Sequence, residues 1–324
     1  MIMAKRAAFP TACFAIFLCL VLSGCVARGP QLSAGSTELA QTPFFPQQRF
    51  QCGPASLAMV LAASGASVTP DELTPRLYLP ARRGSLQVEM QAVPRSFRRL
   101  VLPLPRNPEA IVQELEAGRP VLVLHNYGLP FWPRWHYAVV VGYDARKDMF
   151  TLRSGTTKRQ EMRTRRFMVA WHHAGRWAMV VLRPGETAAN ADAQSYLESA
   201  AAFEREASLA DAHLAFDAAV RRWPTEPLAH VARGTVAYRQ GNLAAAARDY
   251  SAAVALDPAQ VGARNNLAQT LLDLRCPHRA RQQLTGIEAQ PMPAAVREAL
   301  NDTLGKIEAA AAAGADAASC DAIL

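Results

Sequence analysis

The second half of the sequence is constrained most strongly by a repeat of 34 residues. Each unit carries a small residue, a large apolar residue, a second small residue and a proline, found at Ala212, Phe216, Ala219 and Pro224, at Ala246, Tyr250, Ala253 and Pro258, and more loosely at Ala280, Leu284, Ile287 and Pro291. Two antiparallel helices approach closely only over small side chains, while the large side chain fills the gap to the next unit. The period therefore predicts stacked helical hairpins.

This pattern resembles the tetratricopeptide repeat, and Gly234 and Ala268 keep the same register. We place the repeats at 192–312, after a linker at 185–191 and before an alanine-rich tail at 313–324. The resemblance implies an all-α domain whose stacked helices form a concave groove. The expected occupant of that groove is a protein or peptide partner.

The first half of the sequence changes its hydrophobic period near Arg119. Before it, helix starts are predicted at Thr69-Pro70 and Asn107-Pro108, where a capping residue precedes a proline. After it come short apolar runs of strand type, at 121–124, 137–141, 148–153 and 177–182. Residues 44–184 are therefore predicted to form one α+β domain, with helices first and a sheet second.

A single cysteine stands at the start of one predicted helix, in the stretch from Gln47 to Leu61, QQRFQCGPASLAMVL. A helix that begins at Gly53 or Pro54 leaves its first backbone N–H groups unpaired and pointing at the Cys52 sulfur. Such groups favour a thiolate, so the pattern predicts a lowered pKa for Cys52 and a nucleophile. A glutamine shortly upstream, at position 47 or 48, has an amide that can donate to an oxyanion.

A histidine, His136, heads an apolar strand later in the chain, in the run WHYAVVVGY. The loop before it, 125–135, carries Tyr127, Phe131, Trp132 and Trp135. That density of aromatic and proline residues in a loop is typical of a cleft wall. A helical half with a cysteine, followed by a sheet with a histidine, is the layout of a papain-like α+β domain.

The runs FPQQRFQCGPASLAMVL and WHYAVVVGY resemble the bacteriocin-processing, double-glycine-leader cysteine peptidases and their stand-alone relatives. The resemblance spans 44–184 and does not reach the repeats. It implies that Cys52 is the nucleophile, that His136 takes its proton and later protonates the leaving amine, and that Gln47 donates to the oxyanion. Gln48 is the alternative donor, because the sequence does not fix the register of the loop.

The third catalytic residue of that family has no evident counterpart in this chain. An aspartate or asparagine is expected at the end of the strand after the histidine strand, where the sequence reads Leu-Arg-Ser-Gly at 152–155. Asp144 and Asp148 fall in the connecting hairpin and point away from His136. Ser154 remains as the candidate that orients the histidine ring. No catalytic role is assigned to the histidines that lack a matching cysteine context, His125, His172 and His173.

The start of the chain resembles a bacterial lipoprotein signal. Two basic residues precede an apolar run, 12–22, which ends in Leu-Ser-Gly-Cys at Cys25. We therefore expect a signal peptide at 1–24, a lipidated Cys25 and a tether at 25–43. The alternative, an uncleaved membrane anchor, requires a longer apolar run. Val26, in place of an aspartate, implies passage to the outer membrane, with the protein facing the periplasm.

Charge is divided unevenly along the chain. Residues 44–184 carry 20 Lys and Arg against 9 Asp and Glu, whereas residues 185–324 carry 12 against 17. A basic surface outside the cytoplasm suits anionic lipid, cell-wall polymers or an acidic substrate, and this location argues against nucleic acid as a partner. The alternative is an ordinary solvated basic face.

Three of the six cysteines remain for the folded part, too few for a disulfide framework. They are Cys52, Cys276 and Cys320. Cys276 and Cys320 either pair with each other or stay as a buried and an exposed thiol. No spacing of cysteine and histidine is typical of a zinc site, and no cofactor is expected.

The sequence supports two functions of different classes. The first is an exported, lipid-anchored cysteine peptidase that hydrolyses peptide bonds, with the repeats recruiting a substrate or partner. The second is a catalytically degenerate peptidase-like module that holds a peptide in its cleft and serves as an envelope scaffold. The presence of Cys52, Gln47 and His136 favours the first function, and the missing carboxylate favours the second.

Overall fold

A computed structural model describes residues 32, 35–129, 131–287 and 290–314. The predicted signal peptide 1–24, the lipidated Cys25 and Cys320 lie outside these residues, and those predictions stay predictions. None of the helices in the described ranges has the length and apolar composition that a bilayer crossing requires.

The first domain is built on an antiparallel sheet of seven strands among the described residues. The strands are β1 Ser36–Glu38, β2 Leu100–Pro103, β3 Val121–Asn126, β4 Trp135–Asp144, β5 Met149–Ser154, β6 Thr157–Arg163 and β7 Ala178–Leu182. Their order across the sheet is β2-β7-β3-β4-β5-β6, and β1 pairs with the end of β4. The strands predicted from the apolar runs are therefore confirmed as β3, β4, β5 and β7.

Helices cover both faces of this sheet. They are α1 Cys52–Ala63, α2 Pro70–Leu77, α3 Gln87–Ala92, α4 Pro108–Glu116 and α5 Thr164–His172, with single 3-10 turns at Pro80–Arg82 and Val93–Phe97. Alternate residues of β4 point to opposite faces. Tyr137 and Val139 share a buried cluster with α1, whereas Ala138 and Val140 share one with α4 and α5. The cysteine helix therefore packs on the Tyr137 face.

Local sequence explains where several of these helices begin and end. Thr69 caps α2, because its hydroxyl accepts from the Glu72 N–H while the Glu72 carboxylate accepts from the Thr69 N–H. Asn107 caps α4 by accepting from the Ala110 N–H at 2.8 Å. Gly65 follows α1 with a φ of +84°, a conformation that glycine adopts without strain. Both predicted helix starts are confirmed.

Two boundaries differ from the sequence prediction. Residues Ser36–Glu38 lie in the predicted tether 25–43, yet they pair with Gly142–Asp144 as an edge strand. The polar segment Ser-Thr-Glu has no strand signal of its own, so pairing with β4 decides its structure. No helix was predicted between the strands at 148–153 and 177–182, but His172 ends α5 and His173 caps it. Arginines around the start of α5 obscured this helix, because acidic residues are the usual signal there.

The second domain is helical, as the 34-residue period predicts. Its helices are α6 Ala193–Glu204, α7 Leu209–Arg222, α8 Pro227–Arg239, α9 Leu243–Leu256, α10 Val261–Asp273, α11 Pro277–Leu284 and α12 Ala294–Ala312. A Cβ atom at Gly234 would lie 3.1 Å from the Asp249 Cβ and 3.1 Å from a ring carbon of Tyr250. The small residue of the repeat therefore marks the place where α8 and α9 approach each other.

One hydrophobic cluster spans the two domains. Tyr196 of α6 belongs to the same buried cluster as side chains of β2, β3 and β4. Arg98 donates two hydrogen bonds of 2.7 Å to the buried carboxylate of Asp211 in α7, and this guanidinium lowers the Asp211 pKa. Glu114 of α4 accepts from the Ala189 N–H at 2.5 Å. The predicted linker therefore lies against the first domain.

Candidate active site

Cys52 is the first residue of α1, slightly earlier than the predicted helix start at Gly53 or Pro54. It is the free thiol of the described residues, since Cys276 is buried in the repeat core and disulfide-bonded. A Cβ atom at Gly53 would lie 2.3 Å from Ser85 Oγ. Only glycine therefore lets the chain before α3 close over the turn that carries the cysteine.

Burial decides the ionisation of Cys52. The backbone N–H groups of Tyr137, Gly53 and Cys52 itself approach the sulfur and favour a thiolate. Desolvation by burial is the larger effect, and it raises the pKa of the Cys52 thiol above its ordinary value of 9.0. The expected lowering is wrong, because the sequence reveals a helix start but not the depth at which the sulfur lies.

This direction predicts the alkylation behaviour of the thiol. The rate at which iodoacetamide labels Cys52 should keep rising with pH beyond 9.0, because only the thiolate reacts. Mass spectrometry of the labelled peptide over a pH series measures that rate. A rate that reaches its plateau near neutral pH would contradict the prediction and indicate a preformed thiolate.

Gln47 approaches the same place from the loop before α1. Its Nε2 donates to Ser56 Oγ at 3.3 Å and to the Tyr137 carbonyl oxygen at 3.4 Å. Cys52 and Gln47 therefore both contact the backbone of Tyr137 on β4. Gln48 is exposed, so the geometry favours Gln47 as the oxyanion donor of the two candidates.

His136 precedes Tyr137 on β4 and turns its ring toward Ser154 and Tyr127. Its Nε2 lies 2.9 Å from Ser154 Oγ, and its ring centroid lies 5.8 Å from that of Tyr127. Ser154 ends β5, where the sequence resemblance leads one to expect a carboxylate. A hydroxyl orients the ring but supplies no charge to stabilise an imidazolium. Burial accordingly lowers the pKa of His136.

The contact with Ser154 leaves Nδ1 as the nitrogen of His136 that can take a proton. In that tautomer Nε2–H donates to Ser154 Oγ. Within the described residues no hydrogen bond or ion pair joins Cys52 directly to His136. The pKa of the thiol is raised and that of the imidazole is lowered, so both groups are neutral at rest.

A second histidine, His125, supports this ring from the neighbouring strand. It lies opposite His136 in the register of β3 and β4, is fully buried, and its Nδ1 is 2.9 Å from the Tyr127 hydroxyl. Burial and the nearby His136 lower the pKa of His125 to about 3. Tyr127 therefore bridges the two histidines, a role that the sequence reading missed. The sequence did contain a signal for this contact: His125 and Tyr127 are two positions apart, and residues at that spacing share one face of an extended chain.

Arg153, the residue before Ser154, is buried and was also not predicted to matter. Its guanidinium donates to the carbonyl oxygens of Ala40 and Thr42 at 2.9 and 3.4 Å. These bonds hold the segment that leads to Gln47 against the end of β5. Arg153 therefore positions the loop that carries Gln47, the candidate oxyanion donor.

The loop between β3 and β4 exposes large aromatic side chains beside these residues. Phe131 and Trp132 are 82% and 74% exposed, and Trp135 is 55% exposed. The Asn126 carboxamide oxygen accepts from the N–H groups of Gly128 and Arg134, which holds the two ends of the loop together. Exposed aromatic surface in a braced loop is available for contact with a ligand.

The arrangement defines a class of protein. A cysteine at the start of a helix that packs on an antiparallel sheet, with a histidine on an inner strand, is the fold of a papain-like cysteine peptidase. Residues 39–179 match the profile of the Peptidase_C39 like family, so the first domain is similar to C39-like peptidases. The predicted α+β papain-like domain followed by helical repeats is confirmed.

Solved structures are similar to each of the two domains. A C39-like peptidase from Bacillus anthracis is 17% identical over 46% of this chain and 98% of its own, with a TM-score of 0.39. A double-glycine-motif protease of an AMS/PCAT transporter, solved with a leader peptide, is 17% identical over 46% and 94%, with a TM-score of 0.33. The TPR domain of P58(IPK) is 25% identical over 37% and 33%, with a TM-score of 0.34. No curated protein matches the sequence significantly.

Proposed function

We propose that the chain is a cysteine peptidase that hydrolyses peptide bonds through Cys52, His136 and Gln47. The observation that carries this proposal is the meeting of Cys52 and Gln47 at the backbone of Tyr137, the residue after His136. A nucleophile, an amide donor and a base are the groups that acyl transfer requires. All of them lie within the domain that matches the peptidase family.

The reaction follows from the protonation states. As the Cys52 sulfur attacks the substrate carbonyl carbon, its proton passes to Nδ1 of His136, and Gln47 Nε2–H donates to the oxyanion. The imidazolium then protonates the leaving amine, and a thioester remains on Cys52. Water, deprotonated by His136, hydrolyses the thioester and restores the thiol. Ser154 keeps the His136 ring oriented through Nε2 throughout.

The remaining parts of the proposal concern location and partners. Lipidation of Cys25 would anchor the protein in the bacterial envelope, at the outer membrane and facing the periplasm. The helices of the second domain would recruit the substrate or a protein partner. The shared hydrophobic cluster and the Arg98–Asp211 ion pair support a fixed arrangement in which the repeats lie beside the peptidase domain.

A direct test compares the full chain with its Cys52→Ala variant on a mixture of synthetic peptides, followed by mass spectrometry. We expect new peptide termini with the wild-type protein and a loss of about a thousandfold or more in their rate of formation with the variant. Identical fragments from both proteins would assign the cleavage to a contaminant and refute the proposal.

The contact between His136 and a hydroxyl rather than a carboxylate favours a second candidate function. In it, the domain holds a peptide in its cleft without cutting it, and the repeats serve as an envelope scaffold. Peptide binding that is equal in the wild-type protein and the Cys52→Ala variant, with no cleavage by either, would select this function.

A further inference from the structure

A cavity of about 770 Å³ lies beside the candidate active site, between the β3–β4 loop, the ends of β5 and β6, and α5. Its size falls in the range of ligand-binding clefts. The residues that line it are Asn126, Tyr127, Gly128, Arg134, Ser154, Gln160, Arg163, Arg165, Arg166, Val169, Ala170 and His173. The cavity is therefore bounded on one side by Ser154 and Tyr127, the two residues that contact His136.

The lining of the cavity is strongly basic. It contains four arginines, Arg134, Arg163, Arg165 and Arg166, and none of the described lining residues is acidic. All four side chains are exposed, and none of their guanidinium groups forms an ion pair within the described ranges. Positive charges gathered around one concave space raise the local concentration of anions.

Helix stability does not explain this clustering. Arg163 occupies the N-cap of α5, and Arg165 and Arg166 lie in its first turn, which holds no acidic residue. The partial positive charge of a helix N-terminus favours acidic residues at these positions. Where a natural sequence breaks such a local rule, the position is often part of a functional site. The helix start and the arginines add their positive potentials in the same cavity.

The cavity is also lined by the two residues that contact His136. Ser154 both lines the cavity and contacts Nε2 of His136 at 2.9 Å. Tyr127 lines it too, and its ring centroid lies 5.8 Å from that of His136. An occupant of the cavity would therefore lie against Ser154 and Tyr127, which contact His136, the proposed base for Cys52.

We propose that this cavity is a subsite for the acidic side chains of a peptide. The inference rests on the proposed function and names the substrate class of that same site. Guanidinium groups bind carboxylates through paired hydrogen bonds, and several arginines around one space suit more than one carboxylate. The exposed Trp132 and Trp135 flank the lining residue Arg134 in the sequence and offer apolar contact to the rest of a peptide chain, which a free anion does not use.

Binding is tested in the Cys52→Ala background, so that cleavage does not interfere. The probes are a peptide of alternating glutamate and alanine, labelled with a neutral dye, and the same peptide with glutamine in place of glutamate. Fluorescence anisotropy compares the background protein with the pair Arg163→Gln and Arg166→Gln. A control with the same net charge carries Arg205→Gln and Arg248→Gln, two exposed arginines of the repeat domain.

We expect the glutamate peptide to bind at least about tenfold more weakly to the cavity variant than to the control, because paired charge-assisted bonds are lost. The glutamine peptide should bind both proteins equally. Two results would overturn the proposal: an unchanged preference for glutamate in the cavity variant, or displacement by inorganic phosphate without any preference between the peptides, which would assign the cavity to a free anion.

Binding and cleavage, measured on the same peptides, distinguish a failure of the peptidase proposal from a failure of the subsite proposal. Glutamate-dependent binding without any cleavage by the wild-type protein would refute the peptidase proposal and support the acidic subsite. Cleavage of both peptides at equal rates would support the peptidase proposal and overturn the subsite.

Discussion

Replacement of His136 by alanine should lower kcat/KM for peptide hydrolysis by about a hundredfold to ten-thousandfold, the contribution of a positioned general base and acid. The effect should be large here because the Cys52 pKa is raised, so the thiol needs a base that takes its proton as the sulfur attacks. Steady-state kinetics on the first peptide found to be cleaved measures the change.

The matched control is His172→Ala, an exposed histidine at the end of α5 that does not line the cavity. It should keep the wild-type kcat/KM. A His136→Ala variant that retained full activity would remove His136 from the mechanism. Circular dichroism of both variants shows whether the fold is retained, so that loss of activity is read as loss of the base.

Periodicity was sufficient to predict most of the fold. The change from helical to strand period near Arg119 located the sheet, and the 34-residue repeat located the helices that pack over Gly234. The segments that were missed carry little periodic signal. β1 is a polar tripeptide that becomes a strand only by pairing with β4, and α5 begins among arginines.

The structure brings Gln47 and Cys52 to the backbone beside His136, whereas the electrostatics of this place were not predicted. Gln47, Cys52 and the strand that bears His136 converge on one backbone segment, which the motif spacing suggested. The depth of the sulfur, and with it the direction of the thiol pKa, depends on packing by Ser85 and Tyr137 from distant parts of the chain. Burial of that kind cannot be read from a single stretch of sequence.

The absent carboxylate connects these observations. With Ser154 in its place, no negative charge of the described residues opposes the desolvation of His136, so its pKa falls, and burial of the thiol raises the Cys52 pKa. In the proposed reaction, a neutral thiol and a neutral imidazole would transfer their proton only as the sulfur attacks. That reaction would depend on the orientation of the imidazole, and the ring of His136 contacts Ser154 and Tyr127.

The stability of the protein should fall as the pH decreases from 6.5 toward about 3, because the unfolded chain binds a proton at His125 that the native state does not. A folded pKa below the unfolded value means that the native state gains stability with rising pH, fully so above 6.5. The slope from this one buried residue reaches about 1.4 kcal/mol per pH unit. The lowered pKa of His136 acts in the same direction.

Urea unfolding followed by circular dichroism over this pH range, for the wild-type protein and a His125→Asn variant, isolates the contribution of His125. Asparagine keeps a polar group near the Tyr127 hydroxyl but does not titrate. Carboxylates such as Asp211, whose pKa is lowered by Arg98, destabilise both proteins equally in acid. The free energy of unfolding should therefore decrease less steeply in the variant, and parallel curves would show that His125 is protonated in the native state.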